Sequence, residues 1–208
     1  MSEKNNLTNI GAFVDDCVEI AEDVKIYPNV YILGNSKIGK GTVIYPNTTI
    51  ENSIIGEYCE IKSSHIEESE VKNNVKIGPF AHIRPNSVIS DDCRIGNFVE
   101  IKNAVIGKGT MASHLAYVGD ADVGEYCNIG CGAIFVNYDG KNKNRTVVED
   151  NCFIGSNCNV VAPVHIKKGS YVCAGTTITI DTNEDDFVIG RSRETVKPNR
   201  AHLYWENK

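Results

Sequence analysis

The stretch I-A-E-D-V-K-I-Y-P-N-V-Y-I-L-G-N-S-K-I-G-K-G-T-V-I-Y-P-N-T-T-I, residues 20–50, decides the fold. Ile20, Ile26, Ile32, Ile38, Ile44 and Ile50 stand six residues apart without a break. An amphipathic helix repeats its apolar residues at three and four, and a half-buried strand at two. A single aliphatic residue every six fits neither. It fits a chain that coils in short strands joined by tight turns, three hexapeptides to a triangular coil of about 18 residues.

The ladder extends well beyond this stretch. It runs through Ile55, Ile61, Ile66, Val71, Ile77, Ile83, Ile89, Ile95, Ile101 and Ile106, with a few steps of five, and resumes at Val148, Ile154, Val160, Ile166, Val172 and Ile178. From Val14 to Ile178 this makes about nine coils, each contacting only its neighbours. Stacked inside the prism, each Ile contributes roughly 1.5–3 kcal/mol of burial. Four residues after the aliphatic position comes a small or β-branched residue, as at Val24, Val30, Ser36, Thr42, Thr48, Ala81, Ser87, Val99, Val105 and Thr110. Cys59, Cys93, Cys127, Cys152 and Cys158 take the same slot, which predicts buried, inert thiols. Cys17, Cys131 and Cys173 lie off it. No C-x-x-C pair occurs, so the usual zinc and redox spacings are missing. Glycine often follows the aliphatic residue, as at Gly39, Gly56, Gly78, Gly96, Gly107, Gly124, Gly130 and Gly155, and is expected to supply the sharp corner.

The chain has 208 residues, is 41% hydrophobic and carries a formal net charge of −6. That balance argues against a general binder of nucleic acid or anionic membrane. The N-terminus, M-S-E-K-N-N-L-T-N, is polar, and no apolar run nears the ~18 residues of a membrane span. The expected location is the cytoplasm.

Interruptions of the ladder are where chemistry is expected. The largest lies between Phe135 and Val148, where Asn137-Tyr138-Asp139-Gly140 reads as a turn followed by Lys141, Lys143 and Arg145. A smaller one, M-A-S-H-L-A-Y-V-G-D at 111–120, carries His114 and Tyr117. His65, His82, His165 and His202 are read as structural, and the spacing of His82, His114 and His165 does not suit a three-histidine zinc site. The tail from Phe187, with Arg191, Arg193, Lys197, Arg200 and the lone Trp205, leaves the repeat. The expected organisation is a β-helix over 1–185 with a loop insertion at 136–147, then a tail over 186–208 that caps the last coil.

These segments together resemble a family. I-G-P-F-A-H-I-R-P (77–85), G-N-F-V-E-I-K (96–102), A-S-H-L-A-Y-V-G-D-A (112–121), N-Y-D-G-K-N-K (137–143), G-S-N-C-N-V-V-A-P-V (155–164) and A-G-T-T (174–177) are similar to the C-terminal acetyltransferase domain of bacterial N-acetylglucosamine-1-phosphate uridyltransferase/glucosamine-1-phosphate acetyltransferases. The resemblance implies an all-β fold, a left-handed parallel β-helix of hexapeptide repeats; the spacing alone does not set the hand. It implies a homotrimer with sites between subunits. The implied reaction moves the acetyl group of acetyl-CoA to the amine of glucosamine-1-phosphate, with no metal, on the way to UDP-N-acetylglucosamine and cell wall. It implies His114 as base with Glu100 beside it, and Asn137 where sugar and acetyl group meet. Arg84, Lys102, Tyr117, Asn128 and Lys143 fall at sugar-phosphate positions. Tyr138, Ser156, Ala174 and Arg191 fall at the acetyl-CoA site, with the backbone N–H of Cys131 as oxyanion donor.

The residue chemistry agrees. An amine needs a base near neutrality, and free His sits at about 6.5. A carboxylate could fix the imidazole tautomer, and the thioester oxyanion needs a preorganised donor. Arg with Lys suits a phosphate dianion. The family's nucleotidyltransferase motif does not occur in this sequence, so uridyl transfer and its magnesium are not expected. Two alternatives remain open: a related acyltransferase acting on another phosphorylated amino sugar, and a non-catalytic β-helix scaffold.

Overall fold

The computed structural model describes residues 11–205; the polar N-terminal stretch read above lies outside the described residues. The chain forms a left-handed parallel β-helix with three faces. Face 1 runs from Phe13–Val14 to Thr177–Ile178, face 2 from Glu19–Ile20 to His165–Ile166, and face 3 from Lys25–Ile26 to Phe187–Val188. They hold 10, 9 and 10 strands, all parallel. That is about ten coils where the spacing gave about nine. The five-residue steps shorten several coils, and Phe187–Val188 adds a last rung on face 3, so residues assigned to the tail still belong to the coil.

The core is the ladder. Ile32, Ile50, Ile66, Ile83 and Ile101 on face 1, with their counterparts on the other faces, are fully buried, and Phe135 is the largest buried side chain. Within the small slot, hydroxyls bond along the coil axis: Ser53 N–H donates to Ser36 Oγ at 3.1 Å, and Ser69 N–H to Ser53 Oγ at 3.1 Å. Serines in this slot are therefore tolerated inside because they meet a neighbour one coil on, whereas the buried Thr48 and Thr146 hydroxyls find no partner among the described residues. The five slot cysteines are buried, as is Cys173; Cys17 and Cys131 are exposed. Burial pushes the Cys59 and Cys93 thiols up to about 11, which keeps them unreactive. Val105 does not take the inward slot: the step before it is short, so Ala104 is buried and Val105 faces out.

Of the glycines after the aliphatic position, Gly78 takes the left-handed φ expected of a corner, at 94°; the others serve a different purpose. Gly39 and Gly107 have no positive φ; a Cβ there would stand 2.5 and 2.4 Å from the backbone of Gly56 and Gly124 in the next coil. They permit close coil-on-coil contact. The left-handed corner residue comes two positions later, as Gly41, Tyr58, Gly109, Tyr126 or Asn157. Phe80, Phe98 and Leu115, also left-handed, mark the corner between faces 3 and 1.

Candidate active site

Two groups of candidate residues flank face 1. The first follows the corner where face 3 ends. Asn97 pairs in register with His114. Extending the pairs Ala112↔Ile129, Ile129↔Ile154 and Ile154↔Val172 by two residues stacks His114, Cys131, Ser156 and Ala174 in one column. Rungs of a parallel sheet lie about 4.8 Å apart, so this column is a continuous track along the coil axis. Arg191 closes it: Nη1 donates to Ala174 O at 2.7 Å. The Cys131 carbonyl accepts from Asn157 N–H at 2.8 Å, while its own N–H meets no acceptor among the described residues.

His114 is exposed, and its Nδ1 lies 2.8 Å from Asn97 Oδ1. A carbonyl oxygen can only accept, so Nδ1 carries the proton and Nε2 is left as the basic nitrogen. Asn97 was not singled out from the sequence. Glu100, expected beside the base, instead accepts from Arg84 Nη1 at 2.7 Å. The carboxylate thereby holds Arg84 fully cationic, raising its pKa above the ordinary value.

The second group lies at the opposite edge of face 1, beyond the strand Tyr117–Gly119. Its hub is Asp120, buried and held at a left-handed φ of 49°. Asn103 Nδ2 donates to Asp120 Oδ1 at 2.5 Å, Asn137 Nδ2 donates to Oδ2, and Lys102 Nζ stands 3.8 Å from Oδ2. Burial pushes the Asp120 carboxyl up, but the two amides together with Lys102 and Lys143 outweigh it and hold it below the usual range. Lys143 is pulled below the ordinary lysine value, chiefly by its contact with Lys102. Two ammonium groups facing one another make a site that a dianion would relieve. Tyr117 spans the face between the groups: Asn137 Nδ2 donates to its hydroxyl at 3.3 Å, and its ring lies over Gly119.

The Asn137–Arg145 loop presents Lys143. Asp139 Oδ1 accepts from the N–H groups of Lys141 and Asn142 at 2.8 and 2.6 Å, which holds its carboxyl low and closes the turn. Tyr138 bridges Lys143 in antiparallel fashion and donates from its hydroxyl to Gly140 O at 2.7 Å. Arg145 is committed elsewhere: it grips Asp122 at 2.6 and 2.5 Å and donates to Asn103 O and Ala121 O. Of the three loop cations, Arg145 is thus an anchor. Asn128 sits on face 3, level with Met111 and Phe153, apart from both groups.

Three family descriptions match parts of the chain: "GMPPB C-terminal domain" at residues 65–138, "Bacterial transferase hexapeptide (six repeats)" at 17–52 and "Hexapeptide repeat of succinyl-transferase" at 145–179. The chain is 53% identical over 199 residues to the bifunctional protein GlmU of Caldicellulosiruptor saccharolyticus, covering 94% of this chain and 43% of that protein. It is 51% identical over 185 residues to GlmU of Halalkalibacterium halodurans, covering 89% and 41%. The chain therefore spans about two fifths of the length of these relatives, matching their C-terminal part. Among solved structures, the Arabidopsis UDP-N-acetylglucosamine acyltransferase shares the fold, with a TM-score of 0.61 at 22% identity over 84% of this chain and 68% of that one.

Proposed function

Since the chain belongs to the hexapeptide-repeat acyltransferase family and is a relative of the bifunctional protein GlmU, we propose that it transfers the acetyl group of acetyl-CoA to the amine of glucosamine-1-phosphate. The observation that carries this reading is the column in which a tautomer-fixed His114 stands one rung from the unpaired Cys131 N–H. A base and an oxyanion donor one rung apart are what attack on a thioester requires.

In the proposed reaction the amine nitrogen attacks the thioester carbonyl carbon. His114 Nε2 takes the amine proton, and Asn97 keeps Nδ1–H donating as the ring becomes positive. The oxygen gains negative charge and is met by Cys131 N–H. The C–S bond then breaks, and the CoA thiolate takes the proton back from His114. The acetyl-CoA runs along Cys131, Ser156 and Ala174 toward Arg191, with Tyr138 over its acetyl end. Arg84, Lys102 and Lys143 hold the phosphate, and Tyr117 and Asn137 position the sugar. Glu100 acts in this scheme by holding Arg84.

The two groups lie at opposite edges of face 1, and Asn128 stands apart on face 3. That separation supports reading the site as shared between subunits, with the base corner of one copy meeting the phosphate edge of another in a homotrimer. Among the described residues no helix is long and apolar enough to cross a membrane.

The test is release of free thiol from acetyl-CoA with glucosamine-1-phosphate, glucosamine-6-phosphate and glucosamine in parallel. Release with the 1-phosphate at a kcat/KM well above the other two is expected. No release with any acceptor refutes the acetyltransferase, and release with another acceptor alone replaces the substrate.

A further inference from the structure

We propose that His65, Glu67 and His82 form a binding site for a borderline divalent transition metal such as Zn2+, on face 1 and adjoining the first rung of the candidate active site, where His82 stands two residues before Arg84 and pairs in register with Glu100. The inference does not depend on the acetyl-transfer reading. His65 and His82 are register partners on adjacent parallel strands, so the backbone sets their separation. Glu67 is two residues after His65 on the same strand, and side chains at i and i+2 share a face. The ligand atoms of all three lie within 4.8 Å of one another. His82 Nε2 is already 3.0 Å from Glu67 Oε1. Ligands bonded to Zn2+ at ~2.0–2.2 Å stand roughly 3–3.5 Å apart. One pair is therefore at its bound spacing, and His65, which is exposed, needs only to swing inward.

The surroundings favour a cation. The imidazole centroids are 5.2 Å apart at 56°, and the His65 ring has no hydrogen-bond partner among the described residues. Glu51 is the register partner of Glu67 and adds a second carboxylate on the neighbouring rung. Arg84 donates its hydrogen bond to Glu100 and not to Glu67, although it stays near enough to feel the Glu67 charge. Two imidazoles with one carboxylate suit zinc, cobalt or nickel; hard cations such as Mg2+ prefer all-oxygen sets.

A second His–carboxylate pair supplies the contrast. His165 Nε2 lies 2.8 Å from Glu149 Oε1, but that oxygen also takes Lys167 Nζ at 3.2 Å, Glu149 Oε2 takes the Lys168 N–H at 3.0 Å, and no second imidazole joins them. It should not bind a metal.

The experiment is titration of the full chain, free of any affinity tag and stripped with chelator, with Zn2+ by calorimetry and with Co2+ by visible absorption. One equivalent per chain is expected. His82→Gln and Glu67→Gln should each weaken binding at least tenfold, while His165→Gln leaves it unchanged. Circular dichroism should match for all variants, since every altered side chain faces out. No saturable binding, equal affinity in wild type and His82→Gln, or loss of binding in His165→Gln overturns the site. A cobalt–thiolate charge-transfer band would place the metal on cysteine and overturn it equally.

Discussion

Replacing Asp120 by Asn keeps the side chain's shape and removes its charge. The carboxylate accepts from Asn103 and Asn137 and faces Lys102 at 3.8 Å, with the Asp120 side chain 9% exposed. An amide in its place can accept from only one of the two asparagines; its NH2 then confronts the other donor. Losing one charge-assisted hydrogen bond costs about 1.5–3 kcal/mol. The Coulomb attraction to Lys102 is about 4 kcal/mol at an effective dielectric of 20, and most of that is returned when the ammonium is rehydrated. The net expectation is a loss of about 2–3 kcal/mol, measured by urea unfolding followed by circular dichroism. The pH dependence is the sharper arm. The folded pKa of Asp120 is lowered, so its contribution is fully present above the ordinary carboxylate value of about 4 and is lost as pH falls through the folded value. The wild type's advantage over Asp120→Asn should therefore be full at pH 7 and shrink steadily below about pH 4. A gap under about 0.5 kcal/mol at pH 7, or one that persists unchanged at low pH, would refute the argument that this carboxylate is the hub of this polar edge.

Two further outcomes follow from the same geometry. His114→Ala should abolish turnover while acetyl-CoA affinity, measured by calorimetry, stays nearly intact; a general base contributes around 10²–10⁴-fold, and a near-normal rate sinks the assignment. Gly119→Ala should raise KM for the sugar phosphate several-fold with little change in thermal stability: its Cβ would fall 2.3 Å from the Tyr117 hydroxyl and push that ring off Asn137, yet the backbone there has no left-handed φ to strain. An unchanged KM would show that Tyr117 does not position the acceptor.

Much of the fold was legible because one aliphatic residue every six has no competing explanation. The coil count and the Val105 slot slipped for a common reason: a five-residue step is nearly invisible in sequence but resets which residue points inward. Except at Gly78, the reading of the glycines missed because the chain's tightest constraint is between coils. At Gly39 and Gly107 the decisive neighbours are Gly56 and Gly124, 17 residues further on, and no local turn rule looks that far. Candidate site residues carried by the family likeness were legible one by one. Their grouping was not, since sequence could not say that Glu100 would be taken by Arg84 or that Arg145 would be spent on Asp122.

The same offset explains what the site reading lacked. Asn97 and His114 are 17 residues apart, as are Asn103 and Asp120, and Asp120 and Asn137; His65 and His82, one above the other, share that spacing. In a solenoid, neighbours in space are neighbours at one coil's length, so a polar residue that recurs at that offset stacks on its copy and shares its chemistry. An isolated Asn or Asp at a corner reads as a turn former. Asn103, Asp120 and Asn137 do occupy the same corner, and Asn103 and Asp120 adopt the left-handed φ that turn formers tolerate. Stacked, they become amide, carboxylate, amide: the donor–acceptor–donor order that lets a charge be buried. The coil converts a repeated turn residue into a binding edge. The two lysines that face one another beside it are what that buried negative charge makes tolerable.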